Sequence, residues 1–484
     1  MPTPLRVLLL VSEADPLVKI GGLGDVGGSL PPALRKLAGD EIDVRLVIPF
    51  HGTINSHLYP TRPVIEFDVS HNSGPIHARV YETSLNGEPI YLLGGDAIPP
   101  SAPVYSNDLG FDAHKYVFFS MAALEFCRVM QWQPDIIHAN DWHTAAAIYA
   151  ISLRRPYDTF FQNTATIMAV HNLPYLGIGA NLPLAAFGLP PAYGSRLPEW
   201  AIHMPLPLGL LSADHILAVS PGYAKEILTP EFGSGLHEFL QSRKDSVSGI
   251  LNGIDLQRWD PANDPALTAN YESATLAARA ANKIALQQEV ALPVEPPVPG
   301  KSSPALLSII SRMDYQKGID LAIGALTMLA DLPWKAIILG TGHFELEAAV
   351  RTLEQNMPQR LRAIIRFDPS LSRRIYAGSD MLLMPSRYEP CGLAQMIAMR
   401  YGCIPVARAT GGLKDTIVDG PKNGTGFLFT EATPEAMAAG LRRAILAYED
   451  SPGWQQMQLR GMQFDFSWER SAKEYLQLYK RIKK

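Results

Sequence analysis

Short apolar runs alternate along the chain with stretches that repeat at helical spacing. In the first half, residues 6–13 (RVLLLVSE), 42–50 (IDVRLVIPF), 134–140 (PDIIHAN), 164–172 (TATIMAVHN) and 214–220 (DHILAVS) are nearly continuous blocks of Val, Ile, Leu and Met. A strand covered by helices on both faces reads this way, because neither of its alternating side-chain rows meets water. The second half repeats the grammar at 305–313, 335–342, 363–369, 381–388 and 403–410. Strand and helix in alternation predict an α/β protein with parallel sheets. Each run ends in polar or glycine residues, and open parallel sheets hold ligands at the carboxyl ends of their strands.

Two further segments organise the chain. In the tail, Tyr475, Leu476, Leu478, Tyr479 and Ile482 cluster on one side at helical spacing and predict a docking helix. Residues 293–304 (PVEPPVPGKSSP) exclude regular structure and form either an interdomain linker or a loop of the second domain. The helical stretch 276–292 before them belongs to either half. No short-period repeat is present.

With 484 residues the chain has room for two or three domains. A net charge of −5 gives no general attraction to nucleic acid or anionic membranes, so an anionic ligand must be held by local chemistry. Cys127, Cys391 and Cys403 form no C-x-x-C pair, which fits a reducing compartment. The run Val7–Val11 is too short for a signal peptide or membrane span, and Glu13 and Asp15 follow it. A cytoplasmic protein is expected, or one of an organelle after processing.

Residues 18–30, VKIGGLGDVGGSL, satisfy the G-x-G-x-x-G spacing of a dinucleotide turn through Gly22, Gly24 and Gly27. That reading is disfavoured. Six residues separate the first strand from Gly21, and the second strand has no carboxylate at its tip. A P-loop is excluded because Lys19 precedes the glycines. Two readings remain. The glycines expose backbone N–H groups at the entry to a helix over 29–37, with Lys19 as a mobile cation and Asp25 bonding sugar hydroxyls or capping the helix. Or they form a tight turn that packs helix on sheet.

Arg312 and Lys317, five apart after a strand and at a helix start, are placed to clamp a diphosphate, or are two solvated charges. Glu389 leaves a buried strand ahead of Pro390, Cys391, Gly392 and a helix, and suits hydroxyl binding, support of a cationic transition state, or helix capping. Gly411 and Gly412 offer a second glycine turn with unencumbered N–H groups. His138 and His143 lack the H-E-x-x-H arrangement, which argues against zinc. Asn252 sits in an Asn-Gly turn and is a ligand candidate second.

Taken in order along nearly the whole chain, KIGGLGDVGGSLP, HANDWHTA, HNLPYLG, LNGID, SRMDYQKGIDL, YAGSDMLLMPSRYEPCGLAQMIAMRYG, PVARATGGLKDTI and GTGFLF resemble the blocks of bacterial glycogen synthases and plant starch synthases. The resemblance implies the GT-B arrangement of two Rossmann-like domains facing across a cleft. Their spans would be residues 1–248 with the helix 466–484 (acceptor side) and 249–465 (nucleotide-sugar side). It implies transfer of glucose, with retained configuration, from ADP-glucose to the non-reducing end of an α-1,4-glucan, without metal or cofactor. By motif position, Lys19 with the Gly22 loop would meet the donor phosphates or glucose, and Arg312 and Lys317 the leaving ADP. Glu389 and the backbone of Cys391, Gly392 and Leu393 would hold the glucose, while Asp141 and His171 would sit beside the reacting carbon. Phe367 stands where the family has an adenine-stacking tyrosine, and Pro369 replaces an acid, which loosens the expected choice of ADP over UDP sugars. Asn140 replaces the histidine of an H-x-H-D-W block. A UDP-glucose-using transferase and an inactive glucan-binding homologue are the alternatives.

Overall fold

The computed structural model describes residues 3–85, 87–296 and 302–484. The chain forms two compact units, one of residues up to Gly253 together with Trp468–Lys484, the other Ile254–Ser467. The proline-rich stretch 293–304 lies inside the second unit and so is no interdomain linker; its residues 297–301 are outside the described residues.

Among the described residues, the first unit builds a nine-stranded sheet from β1 (Leu5–Leu10), β2 (Ile42–Pro49), β3 (Arg62–Val69), β4 (Ile76–Leu85), β5 (Glu88–Gly95), β6 (Ile136–Asn140), β7 (Ala165–Val170), β8 (His215–Ala218) and β9 (Val247–Gly249). Their order is β3-β4-β5-β2-β1-β6-β7-β8-β9, parallel except where β4 pairs with β3 and β5. Every residue of β6 and β7 is buried, which is why these segments read as unbroken apolar runs. By contrast β3 and β4 carry half-exposed, mixed side chains and lack that signal.

Val7, Leu9 and Val11 pack with Val26, Leu30 and Leu34 of the helix Gly22–Ala38. The tail folds as the helix Trp468–Ile482 and completes the same core with Trp468, Ala472, Tyr475, Leu478 and Tyr479. His138, fully buried on β6, bonds the Tyr479 hydroxyl at 2.8 Å and stacks on Tyr475, so its imidazole anchors the tail.

The second unit's sheet contains β10 (Ala305–Ile310), β11 (Trp334–Gly340), β12 (Leu361–Ile365), β13 (Met381–Met384), β14 (Ile404–Arg408) and β15 (Phe427–Phe429). The order β12-β11-β10-β13-β14-β15 is wholly parallel and doubly wound. Strand succession reverses between β10 and β13 here, and between β1 and β6 in the first unit. At such switch points the loops leaving adjacent strands diverge and open a crevice at the carboxyl ends. No helix among the described residues is long and apolar enough to cross a membrane.

Candidate active site

In the second unit the switch point joins the loop after β10, with Arg312 and Lys317, to the loop after β13, with Glu389. The Lys317 ammonium lies 2.8 and 2.7 Å from the two carboxylate oxygens of Glu389. Ser386 donates to Glu389 Oε2 at 2.8 Å. Glu389 is buried, so this carboxylate is held by an ion pair and a neutral hydroxyl rather than by water. Asp314 accepts the Lys317 N–H at 2.9 Å and pairs with Arg312 at 3.3 Å. The Arg312 side chain is 61% exposed and stays with Asp314 rather than joining the Lys317–Glu389 pair.

The loop beyond Glu389 is fixed from beneath. Gly392 has φ +69°, a conformation that glycine adopts without strain. Gln395, fully buried, donates to the carbonyls of Cys391 and Gly392 at 3.1 and 2.9 Å. Leu393 then leads into the helix Ala394–Arg400. Gly411 and Gly412 do not present unencumbered amides as expected. The Gly412 N–H donates to the Glu389 carbonyl at 3.1 Å, and a Cβ at Gly411 or Gly412 would stand 2.1 Å from Glu389 O or 2.0 Å from Cys391 O. These glycines are there because the backbone of the Glu389 loop runs directly against them. Phe367, in the loop after β12, is 84% exposed and offers an open ring face.

In the first unit the polar groups gather at the tips of β1, β6 and β7. Asp141 follows β6 with φ +54°, an unusual conformation for a residue with a Cβ. Its buried carboxylate turns back to accept the backbone N–H groups of His171 and Asn172 at 2.7 and 3.3 Å. Burial, reinforced by the nearby Glu13 charge and opposed by those two N–H groups, pushes its pKa up to about 7. Burial lowers the pKa of His171 to about 3, so its ring is neutral. Asn140 spends its amide N–H on the Leu10 carbonyl at 2.9 Å, which leaves its Oδ1 to accept from His171 Nε2 at 2.8 Å. The proton is thereby fixed on Nε2 and Nδ1 keeps its lone pair. Asn140 thus has a definite task at the position where the resemblance leads one to expect histidine.

The Asp141 titration has a measurable consequence. Between the ordinary carboxylate range and about pH 7 the folded state holds a proton that the unfolded chain has released. Stability therefore falls as pH rises through that window and stays lower above it. Asp141→Asn keeps an acceptor oxygen and removes the titration. Its thermal-unfolding midpoint is expected to match the wild type near pH 4 and to exceed it at pH 8; a gap constant across pH would refute the assignment.

The glycine stretch departs from expectation. The helix starts at Gly22, not near residue 29, so Gly24, Gly27 and Gly28 lie inside it. A Cβ at Gly27 would stand 2.4 Å from Glu13 O, and one at Gly28 2.1 Å from Asp15 O; these glycines let the helix press on segment 13–15. Gly22 itself is exposed in the helix's first turn. The amides just before it hold a carboxylate of the chain: Ile20 and Gly21 N–H donate to Glu13 Oε2 at 2.5 and 3.0 Å, and Tyr105 OH to Oε1 at 2.6 Å. Asp25 lies in the helix's first turn rather than at its N-cap, Gly21, and pairs with the Lys19 ammonium at 2.5 Å, which also reaches Asp15 at 3.3 Å. Asn252 is buried, and its Oδ1 has no hydrogen-bond partner among the described residues.

Ser386, Gln395, Glu13 and Tyr105 are participants that sequence reasoning missed. Ser386 carried a signal, a hydroxyl three residues before the glutamate and hence within reach across one turn. Glu13 and Tyr105 are 92 positions apart and carried none. Among the described residues no group of three or more His, Cys, Asp or Glu side chains is arranged to hold a metal ion.

Residues 6–242 match the family model of the starch synthase catalytic domain, and residues 295–455 that of the glycosyl transferases group 1. The chain is 39% identical to a glycogen synthase of Anaeromyxobacter sp. (strain Fw109-5) and 38% identical to one of Geotalea daltonii, with 99% of each chain covered. Among solved structures, the catalytic domain of starch synthase IV from Arabidopsis thaliana bound to ADP and acarbose matches with a TM-score of 0.86 and 29% identity over 99% of both chains. A sucrose-phosphate synthase from Thermosynechococcus elongatus, at 18% identity and a TM-score of 0.60, shares the fold.

Proposed function

The chain belongs to the glycogen synthase family, and on that premise we propose that it moves glucose from ADP-glucose to the non-reducing end of an α-1,4-glucan with retained configuration. The observation that carries this reading is the Lys317–Glu389 pair at the second unit's switch point, 2.7 Å apart at its shorter contact. A sugar nucleotide offers such a site two handles. Its diphosphate attracts the ammonium, and its sugar hydroxyls donate to the carboxylate. As the bond to the departing ADP breaks, negative charge grows on the diphosphate, and the reading has Lys317, with Arg312, stabilise it where a divalent ion would otherwise serve. The exposed ring of Phe367 is a platform for the base. In the first unit the reading assigns the Asp141 carboxylate and the neutral His171 ring to the reacting sugar, and Lys19 to donor phosphate or glucose. The reaction needs no cofactor beyond its donor.

Purified protein supplied with glycogen and radiolabelled ADP-glucose or UDP-glucose tests the proposal. Label is expected in glycogen from ADP-glucose, at an unchanged rate when a chelator is present. Incorporation solely from UDP-glucose would move the donor assignment, binding without incorporation would reduce the chain to a glucan-binding homologue, and loss of activity on chelation would overturn the role given to the side-chain cations.

A further inference from the structure

The loop after β13 contains a buried hydroxyl that the roles above leave unused. Ser386 is 1% exposed, and its Oγ donates to Glu389 Oε2 at 2.8 Å. The ground on which it stands is rigid. The Arg387 N–H donates to the Gln316 carbonyl at 2.7 Å, and its guanidinium makes a two-pronged pair with Asp320 at 2.8 and 2.6 Å. On the far side, the Gly412 N–H holds the Glu389 carbonyl at 3.1 Å. With the backbone fixed at both ends, what remains to be set is the direction of the glutamate side chain. A lysine sets it loosely, because its four-carbon stem adapts to wherever the carboxylate goes. A serine three residues back has a single torsion and selects one arrangement.

We propose that Ser386 is a positioning residue for Glu389, retaining Oε2 and leaving Oε1 to the donor sugar when the Lys317 ammonium turns to the diphosphate. The inference rests on the functional reading above. In the free protein Lys317 donates to both oxygens of this carboxylate and Ser386 to one of them. An arriving diphosphate carries more negative charge than one carboxylate and competes for the same cation. A buried carboxylate released by its ammonium would turn away, because an unsatisfied buried charge is costly. Ser386 is the neutral donor that need not leave, so the sugar meets Oε1 in an unaltered place.

The test is steady-state kinetics of the full chain with ADP-glucose and glycogen, together with thermal unfolding, for Ser386→Ala, Ser386→Thr, Glu389→Ala and the Ser386→Ala/Glu389→Ala double variant. Ser386→Ala is expected to lower kcat about ten- to a hundredfold, the scale of a small misplacement of a reacting group. The KM for ADP-glucose should stay within about threefold, since the missing bond touches neither phosphate nor base. Threonine, which keeps the hydroxyl, should restore most of kcat, and alanine at 386 should cost nothing further once Glu389 is gone. A Ser386→Ala kcat within twofold of wild type overturns the proposal. So does an equal loss in the Glu389→Ala background, or a loss that follows the unfolding midpoint and is not rescued by threonine. A wild-type chain that transfers glucose from neither sugar nucleotide overturns the functional reading, and this proposal with it; the Ser386 outcomes overturn the proposal alone.

Discussion

Lys317→Ala is expected to lower turnover about a thousandfold, the upper range for removal of one preorganised donor from a developing negative charge. Lys317 is largely shielded from water, its side chain 20% exposed, so its charge acts through a medium less polarisable than solvent. The Asp314 carboxylate accepts the Lys317 backbone N–H and sets the start of the side chain's path. Because the cation stabilises charge that exists fully only on the departing ADP, the loss should fall on kcat more than on the KM for ADP-glucose. Arginine is not expected to substitute, since its planar fork would meet the same two oxygens of Glu389 at a different distance and orientation. Alanine leaves a buried glutamate without its ammonium, and removal of one partner from such a pair costs about 3 kcal/mol or more. The hydrogen bond from Ser386 survives, however, and the fold is expected to hold. Incorporation of labelled glucose into glycogen, measured beside a thermal-unfolding curve, separates the effects. Unchanged steady-state kinetics would refute the role of Lys317, and so would a loss that disappears when the assay is run well below the variant's unfolding midpoint.

Parts of this arrangement were legible in the residues alone, and the boundary has a physical cause. Strands such as β6 and β7 are buried on both faces, and burial of that kind demands a composition that can be seen without coordinates. The edge strand β3 and its neighbour β4 are half exposed, so nothing in their composition sets them apart from loop. The same limit applies at the site. Lys317 and Glu389 announced themselves by charge at strand tips, and the structure brings them together. The sequence offers Gly411 and Gly412 as unencumbered donors, yet composition does not reveal which way an N–H points, and the Gly412 N–H points at the Glu389 carbonyl. The expected helix begins at residue 29, which would put Pro31 and Pro32 in its tolerant first turn. They lie instead within the helix Gly22–Ala38. Helix propensity was overruled there by packing against segment 13–15, which depends on contacts that local composition does not contain.

That packing makes Gly28→Ala the second large effect, expected to destabilise the first unit by about 3 kcal/mol or more. The added methyl would stand 2.1 Å from the Asp15 carbonyl oxygen and 3.2 Å from the Asp15 nitrogen, all backbone that cannot rotate away. Relief requires the helix to lift from the sheet, which opens the layer in which Val26 and Leu30 meet Val7, Leu9 and the tail residues Tyr475 and Tyr479. Alanine's better helix propensity recovers about 1 kcal/mol and does not offset this. Gly21→Ala is the control. Gly21 has an extended backbone conformation open to any residue, and the nearest atom to its added Cβ is a Glu13 carboxylate oxygen at 3.9 Å. Its stability is expected to change by less than about 0.5 kcal/mol, as for an ordinary surface substitution. Urea unfolding followed by tryptophan fluorescence distinguishes the two. If the glycines were there chiefly to let an anion approach bare backbone, the exposed Gly21 would be the sensitive position and the interior Gly28 the tolerant one. The spacing of Gly27 and Gly28 from Glu13 and Asp15 requires the opposite ranking, and a Gly28→Ala variant as stable as wild type would show that the helix does not press on that segment.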